Sequence, residues 1–298
     1  MPEGVAGAAS LQSIGATPAE LPALRAAYSD RTAALMAHLA AFAYDSSLEA
    51  GPAPAVPEKL ALLGFTSFWP FHSGLTDGWA YIAQCPDLIV LSFRGTKSVK
   101  NWATNFHVGL ARPEGTPEEL RVHEGFYRAF KMLADGEAGL SRKLGEIKRE
   151  AGSTVPVYIT GHSLGGALAQ IASAVLGDDQ VAACYTFGSP RVGNSHFDLW
   201  VKVPSYRIVN HADIVPQVPL RLPPFFPYRH SGDPRYLPEP VSGSAFRYEP
   251  GSLARLWQLA QGVAQWLKAR SILGVADHAI REYSRKLDSI AAKRTQRR

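Results

Sequence analysis

Ser163 lies in the stretch ITGHSLGGALAQ at residues 159–170, with Gly161 and Gly165 two positions away on either side. This G-x-S-x-G spacing is typical of a nucleophilic serine on a tight turn from a strand to a helix. Such a turn strains its central residue and leaves no room for side chains beside it. The pattern predicts a hydroxyl placed to attack an electrophilic carbon, although a glycine-rich turn with an incidental serine has the same five residues.

The segments on both sides of Ser163 have the composition that this turn requires. Residues 155–160 (VPVYIT) are apolar and mostly β-branched or aromatic, as in a strand buried on both faces. Residues 164–176 (LGGALAQIASAVL) are rich in alanine and leucine and predict a packed helix. The hydroxyl then lies at the electropositive end of a helix, which favours the nucleophile over the incidental turn.

A nucleophilic serine needs a base, and the base needs an orienting carboxylate. In enzymes whose nucleophilic serine stands on such a turn from strand to helix, the chain order is serine, then an acid, then histidine. Asp213 follows the predicted strand SYRIVN (205–210), from whose end a carboxylate can approach the serine, although it could also simply form the turn. The other acids downstream of Ser163 include Asp178, Asp179, Asp198, Asp233, Asp277 and Asp288.

The candidate bases are His196, His211, His230 and His278. His278 is favoured because its late position completes the chain order and because a predicted helix, AIREYSRKL, follows it. His230 is the main alternative, and both His211 and His230 can be explained as structural residues. We expect His123 and His162, in apolar or glycine-bounded segments, to be buried and hydrogen-bonded and not catalytic.

Strand-like and helix-like segments alternate along the chain, which predicts an α/β fold with a mostly parallel sheet flanked by helices. Residues 79–84 and 87–93 predict a hairpin, and residues 180–190 and 205–216 predict two further strands. Ser29 and Asp30 are expected to cap an early helix. With 298 residues, 46% of them hydrophobic, the chain can form one sizeable domain, whose site lies beyond the carboxyl ends of the strands.

Charge and composition exclude several classes of protein. Four of the five net positive charges lie in the last six residues, at Lys293, Arg294, Arg297 and Arg298, so we expect a solvated tail and not a nucleic-acid-binding face. Cys85 and Cys184 lie in apolar segments and predict buried free thiols. The first residues lack the pattern of a secretory signal, and no window reaches the roughly 18 apolar residues of a spanning helix. We therefore expect a soluble, cytoplasmic protein.

Seven blocks of the sequence, in family order, resemble the class 3 or fungal-type triacylglycerol lipases. They are LSFRGTKSVKNWATNF (91–106), VHEGF (122–126), ITGHSLGGALA (159–169), TFGSPRVG (186–193), VNHADIVPQVP (209–219), YRHSGDPRYL (228–237) and DHAIREY (277–283). The resemblance implies an α/β-hydrolase fold and carboxylester hydrolysis. Block matching gives the triad roles to Ser163, Asp213 and His278, in agreement with the chain-order argument.

Attack on an ester carbonyl makes an oxyanion, which needs aimed hydrogen-bond donors. We expect one donor to be the backbone N–H of Leu164 and the other to come from Thr96, through its N–H and its hydroxyl, at the end of the strand DLIVLSF. The alternative is that Thr96 only closes a turn. Arg94 is expected to be an ion-paired structural residue.

Residues 99–106 (VKNWATNF) resemble the family's lid. Val99, Trp102 and Phe106 recur at helical spacing, so one apolar face could meet the groove or a lipid surface. The alternative is a helix fixed on the domain. An apolar stripe at residues 253–273 predicts a core helix, and a proline-rich loop with Phe225 and Phe226 could line an acyl groove.

We expect a loosely ordered lead at residues 1–28, one lipase-like domain at residues 29–288 and a basic tail at residues 289–298. The predicted activity is hydrolysis of lipid esters through an acyl-Ser163 intermediate, with transient contact to a lipid–water interface. No metal or organic cofactor is implied, because all the reacting groups belong to the protein. Phospholipase A or galactolipase activity on the same fold is one alternative. A catalytically silent lipase-like binding module is the other, but it has no need to retain all three triad residues.

Overall fold

The computed structural model describes residues 9–21, 27–45, 56–74, 76–96, 109–177, 179–211, 213–219, 227–238 and 278–295. Its helices are α1 (Asp30–Phe42), α2 (Glu58–Ala61), α3 (Glu124–Ala134), α4 (Leu140–Ala151), α5 (Leu164–Val175), α6 (Ser195–Trp200) and α7 (Ile280–Thr295). Its strands are β1 (Ser67–Ser73), β2 (Gly78–Cys85), β3 (Leu88–Phe93), β4 (Leu110–Ala111), β5 (Val122–His123), β6 (Val157–His162), β7 (Val181–Phe187), β8 (Ser205–Asn210) and β9 (Asp233–Leu237).

Seven strands form one sheet in the order β1-β2-β3-β6-β7-β8-β9. The first three are antiparallel, with β2 and β3 forming the predicted hairpin, and the strands from β3 to β9 are parallel. The prediction of a mostly parallel sheet is therefore confirmed. The strands β3, β6, β7 and β8 end at one edge of this sheet, where a site is expected.

Helices cover both faces of the parallel strands, which explains why those strands are apolar on both sides. Successive side chains of a strand point to opposite faces. Tyr158 of β6 packs in the cluster that includes residues of α1 and α7, and Ile159 packs in the cluster that includes residues of α3, α4 and α5. The two layers of helices hold the sheet and fix its carboxyl edge.

Within the described residues, an ion pair and a histidine–carboxylate contact join the first long helix to the last one. Ser29 caps α1 by accepting a hydrogen bond from the backbone N–H of Thr32 at 3.4 Å, as predicted. The buried carboxylate of Asp30 lies 2.8 Å from Arg294 of α7, and His38 of α1 lies 3.0 Å from Asp288. The last helix is thereby anchored, and it continues to Thr295 through most of the segment that was expected to be a solvated tail.

Several elements differ from the expectations. Leu11 and Ile14, in the lead that was expected to be loosely ordered, are buried in the core. The edge strands β1 and β9 were not predicted, since each contains a proline, which disfavours a strand interior but is tolerated at an edge. Cys85 and Cys184 are free and buried, as predicted.

Some predictions lie outside the described residues: the lid with Val99, Trp102 and Phe106, the helix at 253–273, and the loop with Phe225 and Phe226. Within the described ranges, no helix is long and apolar enough to cross a membrane.

Candidate active site

Ser163 stands on the turn between β6 and α5, with φ 59° and ψ −129°. This backbone conformation is sparsely populated for a residue with a side chain and costs about 1–3 kcal/mol. A Cβ atom at Gly161 would overlap the carbonyl oxygen of Gly165, and one at Gly165 would overlap that of Phe93. The two glycines therefore allow the strained turn to pack against the neighbouring strand, as the G-x-S-x-G pattern predicted.

The backbone of Ser163 is tied to the adjacent strand, while its hydroxyl is not engaged. Its N–H donates to the carbonyl oxygen of Phe187, at the end of β7, at 2.9 Å. The side-chain oxygen is buried and has no hydrogen-bond partner among the described residues. A buried hydroxyl without a partner is costly, which is typical of a group kept for a reaction.

Asp213 and His278 form a buried hydrogen-bonded pair. His278 Nδ1 lies 2.8 Å from Asp213 Oδ2, and both side chains are almost fully inaccessible to solvent. An ionised carboxylate only accepts, so Nδ1 carries the hydrogen and Nε2 has the free lone pair. Nε2 is buried and has no partner among the described residues. This is the tautomer that a general base requires.

Two further groups hold the carboxylate of Asp213. The hydroxyl of Tyr283 donates to Oδ2 at 2.5 Å, and the backbone N–H of Val215 donates to Oδ1 at 2.9 Å. Tyr283 lies on α7, and His278 lies two residues before that helix begins, so adjoining parts of the chain supply the base and a donor to its partner acid. Hydrogen bonds of this kind fix the orientation of the carboxylate.

The serine and the Asp213–His278 pair meet at Gly188. This residue directly follows Phe187, which accepts the Ser163 N–H. A Cβ at Gly188 would lie 2.7 Å from Asp213 Oδ2 and 2.9 Å from His278 Nδ1. The structure thus brings together the three residues that the chain order selected.

The loop after β3 lies against the turn of Ser163. We call residues 94–96 the oxyanion loop. A Cβ at Gly95 would lie 3.0 Å from Ser163 Cβ, and the hydroxyl oxygen of Thr96 is buried without a partner among the described residues. Leu164 is the first residue of α5, where N–H groups have no acceptor within the helix. Leu164 directly follows Ser163, and Thr96 directly follows the residue that lies against the Ser163 side chain.

His162 is buried and hydrogen-bonded, as predicted. Its Nδ1 lies 2.9 Å from the hydroxyl of Tyr44, and its Nε2 lies 2.6 Å from the backbone carbonyl oxygen of His278. Burial lowers the pKa of His162 well below its ordinary value, and the neighbouring His278 lowers it further. His162 is therefore neutral near pH 7. His123 is also buried, and its Nδ1 accepts the N–H of Phe126 at 3.3 Å.

The alternative acids and bases that the structure describes have other contacts. Asp288 pairs with His38, Asp233 with Arg235 at 2.6 Å, and Asp198 accepts the N–H of Gly232 at 3.3 Å. His211 lies 3.2 Å from the hydroxyl of Tyr236.

Arg94 pairs with Asp77 at 3.3 Å and lies 5.7 Å from the ring centroid of Trp79, as expected for a structural residue. Asp178 and Asp277 lie outside the described residues.

Three residues of the site were missed from the sequence: Tyr44, Gly188 and Tyr283. Gly188 and Tyr283 stand within the blocks TFGSPRVG and DHAIREY, so their places in those motifs were a usable signal. Tyr44 follows a helix that is far from the other motifs along the chain, and nothing in the sequence pattern pointed to it.

Comparison with known proteins shows which family the central part of the chain resembles. A family model described as "Lipase (class 3)" matches residues 90–222. These residues, a little less than half of the chain, are similar to the class 3 lipase family. The match includes Thr96, Ser163 and Asp213, and it ends before His278.

Relatives of the chain include fungal lipases. The chain is 39% identical over 152 residues to "Secreted mono- and diacylglycerol lipase 1" of Fusarium solani, a match that covers 50% of this chain and 43% of that protein. The chain thus matches about half the length of its curated relatives. Relatives of this group are described as secreted proteins, so the comparisons do not support the cytoplasmic location expected from the sequence.

Solved lipase structures share the fold of the chain. A mutant lipase structure from Penicillium cyclopium is 26% identical, with a TM-score of 0.62, and the match covers 73% of this chain and 84% of that chain. Rhizomucor miehei triacylglyceride lipase gives a TM-score of 0.65 at 22% identity, over 84% of this chain and 95% of that chain. The second likeness shows the fold alone. The α/β-hydrolase architecture expected from the sequence is confirmed.

Proposed function

We propose that the chain is a serine carboxylester hydrolase that cleaves lipid esters through an acyl-Ser163 intermediate. The observation that carries the proposal is the buried Asp213–His278 hydrogen bond of 2.8 Å, next to a strained serine whose hydroxyl has no partner in the described part of the chain. Backbone strain and a buried hydroxyl without a partner both cost stability, and a catalytic role explains why they are present together.

In the proposed reaction, His278 Nε2 takes the hydroxyl proton of Ser163 as the oxygen attacks the ester carbonyl carbon. Asp213 stabilises the imidazolium that forms, through the hydrogen bond to Nδ1. The oxyanion receives hydrogen bonds from the N–H of Leu164 and from Thr96. His278 then gives the proton to the leaving alcohol, and water hydrolyses the acyl-serine with His278 again as the base.

Acylglycerols are the substrate class that the relatives' names support, since they are called mono- and diacylglycerol lipases. We also propose transient contact with a lipid–water interface through Val99, Trp102 and Phe106, whose helical spacing gives one apolar face. Phospholipase A and galactolipase activities are the alternatives, and both are measured with the same enzyme preparation. Hydrolysis of a panel of acylglycerols, phospholipids, galactolipids and p-nitrophenyl esters separates these substrates.

Labelling by a fluorophosphonate tests the proposal. Such reagents phosphonylate an activated serine, and the reaction uses the same base and the same oxyanion donors as ester attack. We expect stoichiometric labelling of the wild-type chain that is lost in Ser163→Ala. A folded chain that is not labelled would instead favour a catalytically silent lipid-binding module.

A further inference from the structure

Tyr44, two residues beyond the end of α1, contacts the oxyanion loop directly. Its hydroxyl oxygen accepts a hydrogen bond from the backbone N–H of Gly95 at 3.1 Å. The approach is close enough that a methyl group on Gly95 would overlap this oxygen. Thr96 is the next residue, so the bond from Tyr44 fixes the backbone from which the proposed oxyanion donors project.

The Nε2 atom of the His162 ring contacts the backbone of His278, the proposed base. Nε2 lies 2.6 Å from the carbonyl oxygen of His278, and a carbonyl only accepts, so Nε2 carries the hydrogen. Burial lowers the pKa of His162, so the ring is neutral and Nδ1 is an acceptor. The hydrogen bond therefore runs from His162 to the backbone of the residue that acts as the base.

The hydroxyl of Tyr44 completes a continuous bridge between these two loops. It lies 2.9 Å from Nδ1 of His162, and the alternative acceptor, the carbonyl oxygen of His162, lies at 3.4 Å. Burial raises the pKa of Tyr44 well above its ordinary value, so the hydroxyl keeps its hydrogen. The donors point in one direction, from the Gly95 N–H to Tyr44, from Tyr44 to His162, and from His162 to the His278 carbonyl.

We infer that Tyr44 and His162 are positioning residues, which hold the oxyanion loop and the base at fixed places around the nucleophile. His162 directly precedes Ser163, so the bridge connects the loop after β3, the turn after β6 and the residues just before α7. The rings support the same contacts: the centroids of His162 and Tyr44 lie 5.6 Å apart, and those of His162 and His278 lie 4.5 Å apart. The inference rests on the proposed ester hydrolysis.

Tyr44→Phe tests the bridge, and Tyr81→Phe is the matched control. Tyr81 is a buried tyrosine whose hydroxyl donates to the carbonyl oxygen of Leu39 at 2.7 Å, so each variant removes one buried hydroxyl and its hydrogen bonds. The measurements are kcat and KM on a soluble p-nitrophenyl ester, the rate of inactivation by a fluorophosphonate, and Tm.

We expect Tyr44→Phe to lower kcat and the inactivation rate about 10- to 100-fold, with KM within about twofold, because displacing a reacting group by about 1 Å costs about 10²-fold. Tyr81→Phe should lower Tm to a similar degree and leave kcat within about twofold. A purely structural role for Tyr44 would give the two variants the same kinetics, and that result would overturn the inference.

A double variant shows whether Tyr44 acts through the oxyanion loop. Thr96→Val removes the donor hydroxyl, and if the bridge positions Thr96, the loss in Tyr44→Phe/Thr96→Val should be smaller than the product of the two single losses. Losses that multiply fully would contradict the inference. If Tyr44→Phe does not fold, the same measurements are made on His162→Gln, which changes the residue at the centre of the bridge.

Different outcomes overturn the proposed ester hydrolysis and the bridge. A wild-type chain with neither ester turnover nor fluorophosphonate labelling would overturn the proposed function together with the bridge. A wild-type chain that is active and labelled at Ser163, with Tyr44→Phe as active as Tyr81→Phe, would overturn the bridge alone.

Discussion

Gly188→Ala should damage the reaction by displacing the acid and the base together. The added methyl carbon would lie 2.7 Å from Asp213 Oδ2 and 2.9 Å from His278 Nδ1, whereas ordinary contacts begin near 3.4 Å. The pair must then move away by about 0.5–0.7 Å. Since a displacement of about 1 Å costs about 10²-fold, we expect kcat to fall roughly 10- to 100-fold, which is about 1.4–2.7 kcal/mol in the barrier.

The control separates this displacement from backbone strain. Gly188 has φ +56°, and Gly115 has φ +73° with no heavy atom within 4 Å of the added carbon. An alanine in this left-handed region costs about 1–2 kcal/mol of stability in either position. Steady-state kinetics on a soluble ester and thermal unfolding of both variants should show two lowered Tm values but only one lowered kcat. A Gly188→Ala enzyme with the kcat of Gly115→Ala would refute the reasoning.

Three further results are expected. Asp213→Asn should keep the fold and lower kcat by up to about 10⁴-fold, because the neutral amide no longer selects the required tautomer of His278; a loss below about tenfold in steady-state assays would count against the triad. Activity should rise when the substrate passes from monomers to aggregates, and Trp102→Ser should weaken that rise more than it affects a short soluble ester; a smooth saturation curve, unchanged in the variant, would indicate a fixed helix. Burial lowers the pKa of His162, so below about pH 6.5 the unfolded state binds more protons than the folded state. The stability that is present above that pH is therefore lost as the pH falls, by up to about 1.4 kcal/mol per pH unit. Urea unfolding at pH 5 and pH 7 should show a smaller difference in the free energy of unfolding for His162→Gln than for the wild type.

The sequence was sufficient for the elements whose pattern is local. The strand and the helix around Ser163 have strong and different compositions, and steric overlap makes the two glycines of the turn necessary, so their positions could be read directly. Chain order then selected Asp213 and His278, because consecutive parallel strands end at the same edge of the sheet. The edge strands β1 and β9 were missed because proline obscures a strand pattern, although an edge position tolerates it.

The long-range contacts of the site could not be read from any local pattern. Tyr44 reaches the oxyanion loop only because α1 packs on the sheet beside β6, and Tyr283 reaches Asp213 because α7 packs against α1. Gly188 matters because Asp213 and His278 lie close to it in space. Such contacts depend on tertiary packing, so sequence spacing alone does not reveal them.

Ester turnover by Ser163→Ala, measured beside its Tm, tests the central claim most directly. The substitution removes one hydroxyl that makes no hydrogen bond within the described residues, so the melting temperature should be nearly unchanged. If Ser163 is the nucleophile, hydrolysis of acylglycerols and p-nitrophenyl esters should fall by about 10⁴-fold or more. Turnover within a few-fold of the wild-type rate, by a variant that is equally stable, would contradict the account.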